Sequence, residues 1–325
     1  MILEYRNKVF RYYNEKKFRE ALEVAQEAAK KFPDYEAKTS FWIACLENRL
    51  GNHEAAIQAL RSAVSKGIWW PNQVLQDPDL NSIRDRPEFK VVEAECVRLK
   101  REQPMLLKPD LMVLTPPGYA GKRDWPSLMV FHQRYGERPE LSAQPWSSII
   151  STGTLLAAPW SSQVYCSDGR CWDSLEFSEK DVKWSSSRLK AEYQVDSERL
   201  VFGGFSQGGA LSIYSSLMRL APNQGFVAVA SSDWVVPEKA AVERKQPSEA
   251  FSSVIENCDC TGLRGVIIMG DRDSFFPKIE RLYDMMVEQG LEGKLLVERG
   301  VGHEYPEDFG TKLRIAINFV QGKPA

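Results

Sequence analysis

The segment Leu200-Val201-Phe202-Gly203-Gly204-Phe205-Ser206-Gln207-Gly208-Gly209-Ala210-Leu211-Ser212-Ile213-Tyr214 decides how the rest of the chain is read. Its first residues form an apolar run that predicts a strand, and the spacing from Ala210 to Met218 predicts a helix. Between them lies Gly204-x-Ser206-x-Gly208. A serine lifted onto a tight strand-to-helix turn needs glycine on either side, because a Cβ there would collide with neighbouring backbone. The helix beginning at Gln207 would also point unpaired N–H groups at that serine. A bare G-x-S-x-G is common. Strand before it and helix after it make this one a candidate nucleophile elbow.

Outward from the elbow, residues 104–325 read as short apolar runs separated by Gly and Pro clusters and by helical patterns. The runs are Leu111–Leu114, Leu128–Phe131, Leu155–Ala158, Leu200–Phe202, Phe226–Val229, Val266–Met269 and Leu295–Val297. Apolar throughout and not alternating, they suit parallel strands buried on both faces by crossover helices. A doubly wound, mostly parallel α/β sheet of seven or eight strands is expected.

Residues 1–103 have a different pattern. Glycine is nearly absent, and apolar residues recur at three- and four-residue steps between charges. Phe18 to Ala28 matches Asn52 to Ala63 at an offset of 35, with Ala21 against Ala56, Leu22 against Ile57 and Ala28 against Ala63. A repeat near this length, with small residues where two helices cross and Pro33 after the second, resembles the tetratricopeptide repeat. Two units are fewer than a free-standing solenoid needs, so this all-α domain should lean on residues 104–325. It would serve as a protein-docking surface, a self-association contact or a cap restricting substrate entry. Asp77 to Phe89 reads as a turn-rich bridge into one more helix, since Pro78 and Pro87 both favour helix starts.

Composition narrows the function. With 42 basic and 44 acidic residues among 325, the net charge of −2 offers no field to gather nucleic acid or anionic lipid. The first residues meet charge before any apolar run forms, and no later stretch approaches the length of a membrane span. A soluble, cytoplasmic protein is expected. Six cysteines at 45, 96, 166, 171, 258 and 260 do not make a disulfide framework, and free thiols are the default. Cys166-x4-Cys171 is spaced for a loop disulfide and Cys258-x-Cys260 for a clip. Three histidines are too few to build an ordinary zinc site around either pair.

A serine hydroxyl needs a base to take its proton during attack. In the chain order serine, acid, histidine that an elbow on such a sheet uses, the base must follow Ser206. Of His53, His132 and His303, only His303 does. It sits in Gly300-Val301-Gly302-His303-Glu304-Tyr305-Pro306, just past the last apolar run. The acid should follow the preceding strand, where Gly270-Asp271-Arg272-Asp273-Ser274-Phe275-Phe276-Pro277 offers two aspartates. One would orient the imidazole and the other would cap the turn. Spacing does not choose between them.

Taken together, these residues resemble α/β-hydrolases of the phospholipase/carboxylesterase and dienelactone hydrolase type. Asp196 to Gly209 is similar to their elbow signature, and the resemblance runs over roughly residues 108–320. Gly270 to Pro277 resembles the family's acid loop, in which the aspartate four residues before the proline is catalytic, and this implies Asp273. Gly302 to Pro306, with Asp308-Phe309 beyond, resembles the histidine loop. The family carries His-Gly at the oxyanion loop, whereas His132 is followed here by Gln133. By that likeness the backbone N–H groups of Gln207 and Arg134 form the oxyanion hole, with Gln133 narrowing the pocket. His132 itself is read as a brace at the strand end.

Tryptophans 125, 146, 160, 172, 184 and 234 fall in or near loops over the expected site. Ordinary packing accounts for most of them, with Trp160 and Trp234, each just past a strand, as pocket candidates. The resemblance implies a serine carboxylesterase that cleaves the ester or thioester of a small acyl substrate through Ser206, His303 and Asp273, with no metal or organic cofactor. The same residues would also serve a peptidase, with Glu304 or Asp173 binding an amine, or an acyl-protein thioesterase. A ligand-sensing or docking module without catalysis is the remaining alternative.

Overall fold

The computed structural model describes residues 2–120, 124–136, 138–238 and 245–322. Two compact units emerge. One comprises residues 1–106 together with 164–169, the other residues 107–163 and 170–325.

The first unit is helical. Helices α1 (Ile2–Asn14), α2 (Phe18–Lys31), α3 (Glu36–Arg49) and α4 (His53–Ser65) are followed by a single turn, α5 (Asn72–Leu75), and by α6 (Pro87–Glu102). The two segments that match at an offset of 35 fall on α2 and α4. Each buries the same stripe, Ala21, Leu22, Ala25 and Ala28 on α2 and Ala56, Ile57, Leu60 and Ala63 on α4. Alanines, which lose no side-chain entropy in a helix, leave room for close helix crossings. Pro87 is the first residue of α6, where its missing N–H has no intrahelical partner to lose. Residues 164–169 join this unit through hydrogen bonds to its main chain: Val164 N–H donates to Met105 O at 3.0 Å, and Trp69 N–H donates to Ser167 Oγ at 2.7 Å.

The second unit is built on a seven-stranded sheet. Its strands are β1 (Asp110–Leu114), β2 (Trp125–Phe131), β3 (Leu155–Trp160), β6 (Val195–Phe205), β7 (Gly225–Val229), β8 (Arg264–Gly270) and β9 (Glu292–Glu298), with β4 (Gln163–Cys166) and β5 (Gly169–Cys171) forming a separate hairpin. The order is β1-β3-β2-β6-β7-β8-β9. All seven apolar runs became strands of this sheet. One of them, β1, lies antiparallel to β3 at an edge, whereas the other neighbouring pairs are parallel. As an edge strand β1 is only half-buried, with Leu111 and Val113 packed against one core and Met112 and Leu114 against the other.

Each central strand feeds two cores, as its alternating side chains require. Met129, Phe131, Phe202, Ala228, Ile267 and Met269 face α8 (Leu175–Glu192), α9 (Gln207–Leu217), α10 (Glu249–Glu256) and α11 (Phe276–Glu288). Leu128, Val130, Val201, Val227, Val266 and Ile268 face α7 (Pro139–Ala143), the 3₁₀ segment Gln144–Thr152 and α12 (Phe309–Val320). Because β2, β6, β7, β8 and β9 run parallel, the loops leaving their C-terminal ends gather at one edge of the sheet.

Candidate active site

Ser206 sits where β6 turns into α9, at φ 56° and ψ −119°. A non-glycine residue in this region is strained. The strain is held by neighbours: Ser206 N–H donates to Val229 O at 3.0 Å, and the N–H groups of Ala210 and Ser232 donate to Ser206 O. The flanking glycines are compulsory. A Cβ on Gly204 would lie 2.1 Å from Gly208 O, and one on Gly208 would lie 2.0 Å from Phe131 O.

Strand order carries the partners to this turn. The loop after β8 supplies Asp273 and the loop after β9 supplies His303. His303 Nε2 lies 2.8 Å from Ser206 Oγ, and His303 Nδ1 lies 2.7 Å from Asp273 Oδ2. A buried carboxylate accepts from Nδ1–H, which leaves Nε2 to accept the serine proton. The Asp273 side chain is fully buried and the His303 side chain is 37% exposed. Phe205 and Phe275 flank the ring, with centroids at 5.3 and 5.8 Å. Phe275 N–H donates to Asp273 Oδ1 at 2.9 Å and fixes the carboxylate.

The two aspartates left open by spacing are separated by geometry. Asp271 is exposed and accepts Gly300 N–H at 2.7 Å, a turn-capping contact away from the imidazole. His132 is 1% exposed and stacks on Trp172 with centroids 4.6 Å apart. Its Nε2 accepts Ser161 N–H at 3.2 Å while Nδ1 meets Gln133 O at 2.8 Å. Burial holds its pKa down to about 4, so the ring is neutral. It braces the end of β2.

The residues expected around the oxyanion cluster through one bridging segment. Arg134 places Nε 3.1 Å from Asp173 Oδ1 and Nη2 2.8 Å from Asp173 Oδ2. Gln207, 3% exposed, donates from Nε2 to Asp173 Oδ1 at 2.9 Å and to Val235 O at 2.8 Å, while its Oε1 accepts Trp172 N–H at 3.0 Å. Gln133 is half-buried beside them in sequence. Trp160 donates from Nε1 to Gly136 O at 3.1 Å and lies under the Arg170 guanidinium. Trp234 is half-buried and packs against the core, edge-on to Tyr214 and tilted against Phe251. Trp146 and Trp172 are fully buried.

Sequence reasoning missed the Lys278–Asp233 pair. Both side chains are 2% exposed, with Nζ and Oδ2 3.8 Å apart. The pair ties the helix after Asp273 to the loop that bonds the Ser206 backbone, and nothing in residue spacing announces it. For a metal, the described residues bring Cys45, Asp77 and Asp79 together with ligand atoms within 4.8 Å of one another. Tyr13 already donates to Asp79 at 2.8 Å, Arg49 stands 3.7 Å from it, and burial pushes the Cys45 thiol up. This donor set is engaged within the protein. The six cysteines are free thiols.

A parallel sheet with a strained serine between β6 and α9, and with acid and histidine loops after β8 and β9, defines the α/β-hydrolase fold. Comparison with known proteins agrees. Residues 2–104 match a family model described as the A/B hydrolase-like N-terminal domain, and residues 182–253 match the Phospholipase/Carboxylesterase model. No curated protein matches in sequence. Among solved structures, an uncharacterized protein from Bacillus cereus is 22% identical with a TM-score of 0.51, over 98% of this chain and 99% of that one. Thermogutta terrifontis esterase 2, crystallised phosphoramylated by tabun, is 15% identical with a TM-score of 0.53, over 66% of this chain and 90% of that one. Dipeptidyl peptidase 4 from Porphyromonas gingivalis is 16% identical with a TM-score of 0.52, over 67% of this chain and 34% of that one. At these identities the likeness is one of fold, and fold alone does not assign a reaction. No helix among the described residues is long and apolar enough to cross a membrane.

Proposed function

We propose that the chain is a serine carboxylesterase acting on the ester or thioester of a small acyl substrate. The reading rests on one observation: Ser206 Oγ, His303 Nε2, His303 Nδ1 and Asp273 Oδ2 form a continuous hydrogen-bonded line with steps of 2.8 and 2.7 Å. Ser206 attacks the carbonyl carbon as His303 takes the hydroxyl proton, and the carbonyl oxygen becomes an oxyanion held by the backbone N–H groups of Gln207 and Arg134. His303 returns the proton to the leaving group. Asp273 keeps the imidazole in the required tautomer and steadies its charge. Water, deprotonated by the same imidazole, then releases the acyl group. Every step uses side chains and main chain alone.

Asp173 is a poor anchor for a substrate amine, since Arg134 already occupies both its oxygens. Its engagement leaves the exposed Glu304 as the carboxylate that an amino-terminal peptide would need. The esterase fold relatives and the Phospholipase/Carboxylesterase match support the same reading. Free thiols fit a reducing, cytoplasmic setting. The helical unit carries two tetratricopeptide-like pairs, fewer than a free-standing array, and we read it as a self-association or substrate-restricting element.

The test is turnover of nitrophenyl esters of graded chain length. Ser206→Ala should lower kcat by about 10⁴-fold or more and abolish labelling by a fluorophosphonate. Unchanged turnover in that variant would remove the proposal. Faster cleavage of an aminoacyl anilide than of any ester would move the assignment to a peptidase.

A further inference from the structure

One short segment, residues 170–173, touches both residues whose backbone N–H groups the proposed mechanism needs. From the oxyanion loop, Gly136 N–H donates to Arg170 O at 2.7 Å and Arg170 N–H donates to Gly136 O at 3.0 Å. Trp172 Nε1–H donates to His132 O at 2.9 Å. From the nucleophile helix, Gln207 Oε1 accepts Trp172 N–H at 3.0 Å. Asp173 then joins the two sides, with one oxygen shared between Arg134 Nε and Gln207 Nε2 and the other on Arg134 Nη2.

The oxyanion loop is tied at His132 and Gly136, and Asp173 grips Arg134 between those two ties. Its family counterpart has glycine where Gln133 stands, and Tyr135, next to Arg134, adopts φ 60°. A left-handed tyrosine persists only where its surroundings enforce it. Paired N–H···O⁻ contacts in a fork geometry are among the stronger and more directional hydrogen bonds, well suited to this task. An oxyanion hole works because its donors are fixed before charge develops, so contacts that hold its two halves in place bear on the transition state.

We propose that Asp173 is a positioning residue that sets the spacing of the oxyanion hole by holding Arg134 and Gln207 together. This inference rests on the serine-hydrolase reading above. It places the carboxylate's effect in the transition state: substrate still binds, and the developing oxyanion loses its second donor.

The experiment is a double-mutant cycle with Asp173→Asn and Arg134→Met, assayed on a short-chain nitrophenyl ester and with a trifluoromethyl ketone, which must form an oxyanion to bind. Each single variant should lose about 10- to 100-fold in kcat, a fraction of what removing a donor outright costs, with KM within about threefold. The ketone's inhibition constant should rise by the same factor as kcat falls. The double variant should be no worse than the worse single one, because both remove one contact. Asp173→Glu, which restores the charge, should recover part of the loss. Arg134 is 35% exposed, so Arg134→Met keeps the test decisive if Asp173→Asn does not fold. Losses confined to KM, losses that multiply in the double variant, or an unaltered ketone constant would each overturn the positioning role. Fluorophosphonate labelling of the unsubstituted protein separates the two levels: no label at Ser206 removes the mechanism itself, and normal label with full kcat in Asp173→Asn removes only the inference.

Discussion

At the level of single residues, the contrast between Asp271 and Asp273 is the sharpest in the molecule. They stand two apart on one loop, yet one meets the imidazole at 2.7 Å and the other closes a turn onto Gly300. Asp273→Asn keeps the shape and supplies the wrong hydrogen, so kcat should fall by about 10⁴-fold. Asp271→Asn should leave kcat within a few fold and cost about 1 kcal/mol in urea unfolding. Equal effects on kcat would contradict the assignment. His132 makes a second residue-level prediction. Its folded pKa of about 4 lies below the ordinary 6.5, so between these values the unfolded chain binds a proton that the folded chain refuses. Stability should therefore rise with pH through that window and fall on acidification, by about 3 kcal/mol at full extent. Urea midpoints across the window should show this slope in the unsubstituted protein and a shallower one in His132→Phe. Parallel slopes would place the acid sensitivity elsewhere.

At the level of elements, the strand–serine–helix turn is the least forgiving part of the fold. Gly208→Ala would drive a Cβ to 2.0 Å from Phe131 O, which is backbone and has no rotamer to escape into. Separation of the start of α9 from the end of β2 should follow, with a loss of stability of about 3 kcal/mol or more and no fluorophosphonate label at Ser206, read by thermal melting and mass spectrometry. An active, equally stable Gly208→Ala protein would refute the turn geometry. This turn was legible in the sequence because steric need, glycine spacing and flanking periodicity all pointed the same way. The five central apolar runs were legible for a similar reason, since burial on two faces leaves little room for polar residues, whereas the edge strands β1 and β9 are only partly buried. The orientation of β1 was not, because reversing a strand changes its neighbours and not its composition. The β4–β5 hairpin escaped notice as well. Gln163 to Cys171 contains only seven strand residues, too few for alternation to emerge against Ser167, Asp168 and Gly169. Contacts such as Lys278 to Asp233, or Asp173 to Arg134, join positions far apart in the chain, and charge pairing has no period to read.

At the level of the whole molecule, the chain passes from the helical unit into the sheet unit after residue 106, returns for residues 164–169, and leaves again. The composition changes near residue 103, and nothing in the spacing of residues 164–169 marks this return. A protease cutting once in the connecting stretch near residue 107 should therefore yield two pieces that elute together from a sizing column, because Ser167 and Val164 on the later piece still bond Trp69 and Met105 on the earlier one. They should part in urea. Fragments that separate under native conditions would refute the return. The covalent seam and the folding seam of this protein thus run along different lines: the helical unit is completed only after about half the polypeptide has been synthesised, so a ribosome that stalled just past residue 106 would release a helical piece still missing one of its parts.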